Sequence, residues 1–130
     1  MIIVDTSVWV ELLRDASKRA RLESALAGEE VHLTRFTQME LLMGVRREAQ
    51  WRRLERYLEV QQYAEADGST WHLAARTYFD LRRIGKTIRS PIDCCIAEIA
   101  IANDALLFHR DRDFRTIAAV RPLRERWIDF

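Results

Sequence analysis

Cysteine, lysine and histidine are among the scarce residues of this 130-residue chain. Its two cysteines, Cys94 and Cys95, are adjacent, so no disulfide framework can be built from them. They read as small apolar side chains in a reducing compartment, which makes the cytoplasm the expected location. His32, His72 and His109 show no zinc-type spacing with one another or with the cysteines, which argues against a zinc site. No apolar run approaches the roughly 20 residues needed to span a bilayer, so no membrane role is expected. The start of the chain lacks a basic segment ahead of an apolar stretch, and export is not expected. Lys18 and Lys86 are the only lysines; every other cation is arginine, whose fork suits bidentate phosphate contacts. A GC-rich genome produces the same bias, and the net charge of +1 argues neither for nor against nucleic acid.

What is present is one globular unit, residues 1–130, with 48% hydrophobic and 32% charged residues. Ile2-Ile3-Val4 is a β-branched run without polar interruption, read as a strand buried on both faces of a parallel sheet. Amphipathic helices are expected from Val8, from Asp15 or Ser17, from Thr34 or Thr37 through Arg46-Arg47-Glu48, over Gln50–Leu58, and from Ser69 or Thr70 to Ile84. Another opens at Ser90-Pro91. Glu30–Thr34 reads as a second strand, Ala105–Phe108 as a third, apolar one, and Pro122–Arg124 as an edge strand; a weak helix is expected near Thr116–Ala119. Short strands alternating with longer helices predict a three-layer α/β/α sandwich on a mainly parallel sheet.

Four acids lie where a strand ends or a helix begins. Asp5 follows the first strand, and an open parallel sheet places its ligand site outside the carboxyl ends of its strands. Alone, Asp5 or Thr6 is adequately explained as a helix cap. Glu40 has Phe36 at i−4 and Met43 at i+3, an acid at the edge of an apolar stripe. Gly44, one turn on, costs roughly 1 kcal/mol in a helix interior, which a close backbone approach would explain. Ser90, Pro91 and Asp93 match a capping box with aspartate in the third position, and for Asp93 alone that reading outranks chemistry. Asp111 and Asp113 follow the third strand, and either could cap a helix. In a parallel sheet all these positions share one rim. Two carboxylates 4 Å apart repel by about 4 kcal/mol at an effective dielectric near 20, so the cluster calls for protons or a hard divalent cation.

The order of Asp5 in IIVDTSVWVELL, Glu40 in TQMELLMGVRR, Asp93 in SPIDCCIAEIA and Asp111 in LLFHRDRDF resembles the PIN domain of VapC-type toxins from bacterial toxin–antitoxin pairs. Gly44 and Phe114 also stand where such proteins commonly have them. The resemblance spans essentially the whole chain and implies a Mg²⁺- or Mn²⁺-dependent endoribonuclease inhibited by a VapB-like antitoxin. Carried over, Asp5, Glu40, Asp93 and Asp111 form the catalytic site, with Asp5, Asp93 and Asp111 as metal ligands. Asp113 matches a position that is acidic in many members but less regularly catalytic, and His109 occupies a place where Thr or Ser is frequent.

The expected chemistry is hydrolysis of an RNA phosphodiester, with Arg89, Arg110 and Arg112 placed either to contact phosphates or to pair within the protein. A phosphoacceptor or phosphatase-like α/β domain would also gather acids at strand ends. However, Asp5-Thr6-Ser7-Val8-Trp9 lacks the second aspartate of a D-x-D-x-T sequence. A catalytically inactive interaction module is the third reading, opposed by the complete set of four acids. Trp9, Leu12, Leu13, Trp51, Leu54, Tyr57 and Leu58 offer apolar surface for a homodimer contact, an antitoxin groove and a higher toxin–antitoxin assembly.

Overall fold

The computed structural model describes residues 1–130. Four strands, β1 (Ile2–Val4), β2 (Val31–His32), β3 (Leu106–His109) and β4 (Glu125–Trp127), form one sheet in the order β2-β1-β3-β4, and every pairing is parallel. Seven helices pack around it: α1 (Thr6–Arg14), α2 (Ala16–Ala25), α3 (Arg35–Met43), α4 (Glu48–Glu59), α5 (Thr70–Arg83), α6 (Pro91–Ala102) and α7 (Arg112–Ala118).

The central strands alternate between two cores. Ile2, Val4 and Phe108 join Val8, Trp9 and Leu12 of α1, Leu22 of α2 and Leu58 of α4 on one face. Ile3 and Leu107 join Ala74 and Leu81 of α5, Ile96 and Ile99 of α6 and Phe114 of α7 on the other. Two apolar layers on one sheet are why β1 reads as an uninterrupted β-branched run. Across the second layer, Glu98 is 2% exposed and accepts from Arg121 Nε and Nη2 at 2.7 and 2.9 Å and from Thr77 Oγ1 at 3.0 Å.

Chain direction fixes where a site forms. From β1 the chain passes to β2 on one side and later returns to β3 on the other, so β1 and β3 are neighbours with connections leaving in opposite senses. The crevice at their carboxyl ends is the place where such sheets hold ligands. Asp5 follows β1 there, and Arg110-Asp111 follows β3.

Several local expectations need correction. α3 stops at Met43 and α4 starts at Glu48, so no helix runs through Arg46–Glu48. Gly44 is the C-cap of α3, where an added Cβ would meet only Leu41 O at an ordinary 3.5 Å; no other backbone crowds it. α7 begins at Arg112, four residues before the expected weak helix, because the Asp111 side chain caps it. The edge strand is Glu125–Trp127 rather than Pro122–Arg124, since Pro122 has no N–H to give a ladder. Tyr63 forms a parallel bridge with Leu33 beyond the short β2.

Candidate active site

Each acid reaches the rim through a local structural device. Asp5 is the N-cap of α1: its Oδ2 accepts from Ser7 N at 3.0 Å and from Ser7 Oγ at 2.6 Å, and Ser7 Oγ in turn accepts from Arg110 N at 2.9 Å. One serine thus ties the end of β1 to the end of β3. Asp5 is only 5% exposed, and burial raises its pKa above the usual carboxylate value against the lowering effect of the Ser7 hydrogen bonds.

Glu40 lies on α3, which is capped by Thr34, whose hydroxyl accepts from Thr37 N. Thr6 Oγ1 donates to Glu40 Oε1 at 3.0 Å and lies 2.9 Å from Thr37 Oγ1, joining the first turns of α1 and α3. Burial raises the Glu40 pKa, and Asp5 adds to the rise.

Asp93 is the third residue of α6, behind the Ser90 cap and Pro91. Ser90 Oγ accepts from Ile92 N as a capping residue should, but the capping box is not closed: the Asp93 carboxylate accepts no hydrogen bond from the protein. It faces other carboxylates instead. One oxygen each from Asp93, Asp111 and Asp113 lie within 4.8 Å of one another. Burial first, then Asp111, Asp5, Asp113 and Glu40 in that order, push the Asp93 pKa up to about 7. A half-buried carboxylate with free lone pairs in a field of four others is a donor set for a hard cation, and the cluster itself contains only carboxylates. The residues present fit Mg²⁺ or Mn²⁺.

Across 119 residues the family model of the PIN domain matches, from residue 2 to residue 120. The chain belongs to the PIN-domain family. Within it, Ribonuclease VapC11 of Mycobacterium tuberculosis is 36% identical over 129 residues, covering 95% of this chain and 96% of that protein. Of solved structures, VapBC2 from Rickettsia felis bound to a promoter DNA fragment gives a TM-score of 0.78 at 19% identity, with 99% of this chain and 100% of that one covered. VapBC-1 from nontypeable Haemophilus influenzae gives 0.76 at 22%, covering 99% and 98%. The phosphoacceptor reading falls away, and the chain groups with the VapC ribonucleases.

On this PIN fold the four acids singled out from sequence, Asp5, Glu40, Asp93 and Asp111, come to one rim, coupled electrostatically through Asp93. The sequence left the role of Asp113 open, and the structure brings one of its oxygens within 4.8 Å of oxygens of Asp93 and Asp111. The signal was the two-residue spacing: Asp111 is the N-cap of α7, Asp113 its second residue, and both carboxylates sit at one helix start. Asp113 N donates to Asp111 Oδ1 at 3.0 Å.

The three flanking arginines separate. Arg89 Nη2 donates to Asp111 Oδ1 at 2.9 Å, its backbone N–H to Asp113 Oδ2 at 3.0 Å and its Nε to the same oxygen at 3.4 Å. With a 79% exposed side chain, Arg89 is a solvent-facing counter-ion for the two aspartates. Arg110 turns away, donating to Ile128 O and lying over the Phe130 ring, while Arg112 is exposed. His109, at 0% exposure, packs against Phe114 and Trp127 at centroid distances of 5.1 and 5.8 Å. Of the apolar residues offered as surface, Trp9, Leu12 and Leu58 are buried, Leu54 and Tyr57 are half-buried, and Leu13 and Trp51 are exposed.

Proposed function

We propose that the chain is a single PIN domain over residues 1–130 acting as the toxin of a toxin–antitoxin pair: a Mg²⁺- or Mn²⁺-dependent endoribonuclease of the cytoplasm. The observation that carries the reading is the unbonded Asp93 carboxylate opposite Asp111 and Asp113, with Asp5 and Glu40 on the same rim. Asp93, Asp111 and Asp113, with Asp5 beside them, would hold the ion. The ion supplies Lewis acidity at the scissile phosphodiester and offsets the carboxylates' mutual repulsion.

The protein's own groups do the rest. Ser7 holds Asp5 in one rotamer and keeps the exits of β1 and β3 in register. Thr6 fixes one oxygen of Glu40, leaving the other to accept a proton from the attacking water, a task that a raised carboxyl pKa favours. Arg89, beside the acids with a 79% exposed side chain, would be available to contact a substrate phosphate.

The partner is a VapB-like antitoxin, and the protein is expected to act as a homodimer within a larger toxin–antitoxin assembly. The antitoxin's seat is a groove of about 260 Å³ between α1, α2 and α4, whose lining includes Trp9, Leu12, Leu22, Leu26 and Tyr57. Cytoplasmic placement is supported by two free cysteines.

The test is cleavage of structured RNAs with Mg²⁺, with Mn²⁺ and with EDTA, comparing wild type with Asp93→Asn. Cleavage by the wild type that needs the ion and is lost in the variant is expected. Full ion-dependent cleavage by Asp93→Asn, or undiminished cleavage in EDTA, overturns the assignment.

A further inference from the structure

His109 is the last residue of β3 and the largest polar ring with no exposed surface, yet both its nitrogens are bonded. Asp111 N–H donates to His109 Nδ1 at 3.1 Å, and His109 Nε2 lies 2.5 Å from Glu125 Oε2 on β4. These contacts fix the tautomer. Nδ1 accepts, so the proton of the neutral ring sits on Nε2 and points at the Glu125 carboxylate. The bond to Asp111 matters because of where that N–H lies. The ladder with β4 ends when Ile128 N donates to His109 O, and α7 starts after Asp111. The Asp111 N–H therefore belongs to neither element, and the imidazole is its acceptor.

The geometry points to His109 as a positioning residue for the metal-binding aspartates, set in its tautomer by Glu125. This rests on the reading that Asp93, Asp111 and Asp113 hold a divalent cation. Holding the Asp111 backbone at the N-cap fixes two carboxylates together, because Asp111 Oδ1 also accepts from Asp113 N. The Phe114 and Trp127 rings clamp the imidazole between α7 and β4, so the register of the edge strand is transmitted to the site. Groups standing behind metal ligands tune affinity by orientation, without touching the ion.

Asn and Gln divide the two functions of the ring. Asn places its side-chain oxygen near the position of Nδ1 and keeps the acceptor for Asp111. Gln places its amide nitrogen near Nε2 and keeps only the donor to Glu125. Both lose ring packing and melt at lower temperature. The experiment is calorimetric titration of the full chain with Mn²⁺ at a temperature where all variants are folded, alongside melting curves and ¹⁵N spectra of the metal-free wild-type imidazole. His109→Asn should bind Mn²⁺ within about threefold of wild type, and His109→Gln roughly 10-fold or more weaker, the usual size of such outer-shell losses. Glu125→Gln, which keeps an acceptor, should stay near wild type, while Glu125→Leu should bind more weakly. The ¹⁵N spectrum should show the proton on Nε2.

Equal losses in Asn and Gln variants that track their melting temperatures would mean packing alone, overturning the inference. So would wild-type affinity in His109→Gln, or a proton on Nδ1. A wild type that binds no Mn²⁺ defeats the metal reading itself and this inference with it. Loss of binding in Asp93→Asn with no loss in His109→Gln defeats only the inference.

Discussion

Asp93→Asn separates the electrostatic cost of the site from its use. With its pKa raised from 3.8 to about 7, Asp93 holds its proton more tightly in the folded protein than in the unfolded chain. The native state therefore binds more protons between those two values, and stability falls as pH rises through that window. Above pH 7 the full cost is present, roughly 4 kcal/mol for a shift of this size and on the order of 2 kcal/mol once solvent screening of a half-buried group is allowed for. Asparagine carries no such cost at any pH. The metal-free variant should melt above wild type, and the gap should widen from pH 5 to pH 8 by on the order of 1–2 kcal/mol, or about 3–8 °C for a domain of this size. Saturating Mn²⁺ should reverse the order at pH 8, because a ligand at 100 times its Kd adds about 2.7 kcal/mol to the protein that binds it. Below pH 7, Mn²⁺ binding by wild type must displace the Asp93 proton, so affinity should fall about tenfold per pH unit. The measurements are scanning calorimetry and titration calorimetry in buffers of different ionisation heat. Parallel melting temperatures for the two proteins from pH 5 to pH 8 would refute the argument.

Four further outcomes follow from named contacts. Ser7→Ala removes the donor to Asp5 and the acceptor for Arg110 N; a loss of about 1–2 kcal/mol in urea unfolding and roughly tenfold slower RNA cleavage are expected, and unchanged cleavage would count against the tie. Glu98→Gln leaves Arg121 without its counter-charge and should cost about 3 kcal/mol by denaturant titration, with Thr77 and Arg121 still in place; a loss under 1 kcal/mol would show the pair to be well solvated. Arg89→Ala removes a competing cation and should tighten Mn²⁺ binding about 2–5-fold at low ionic strength, the difference closing at high salt; weaker binding would refute its counter-ion role. Trp9→Phe deletes a buried N–H that has no partner, so urea unfolding should show a loss of no more than about 1 kcal/mol for the ring volume removed; a loss above about 3 kcal/mol would show that the N–H is not orphaned.

Local chemistry made much of this legible without coordinates. Ser90 caps its helix as expected, and Asp5, Asp15 and Thr34 are each one of the two capping residues offered for theirs (Asp5 or Thr6, Asp15 or Ser17, Thr34 or Thr37), because an N-cap needs only a side-chain oxygen two or three residues ahead of a free N–H. The strand at Ile2–Val4 was readable because burial on both faces leaves a continuous apolar run. Capping logic also misled. Asp93 was best explained by a closed capping box, and the structure leaves its carboxylate unbonded among other acids. The role of Asp113 was left open because nothing in a linear spacing tells which of two acids beside a cap will turn towards a helix start more than fifteen residues upstream.

By itself, then, the order of residues determined several helix caps, the buried central strand and the rim candidacy of Asp5, Glu40, Asp93 and the Asp111–Asp113 pair, since these depend on hydrogen-bond reach and hydrophobic periodicity along a few residues; the preference for Asp111 within that pair came only with the family resemblance. Only the tertiary structure decided that β1 and β3 are neighbours, that Ser7 bridges them, that Arg89 answers Asp111 and Asp113, and that His109 joins the site to Glu125. The side-chain bonds among them link positions 16 to 103 residues apart. Their free energy comes from bringing charges and donors together in a low-dielectric crevice, and the crossover of the parallel sheet makes that crevice.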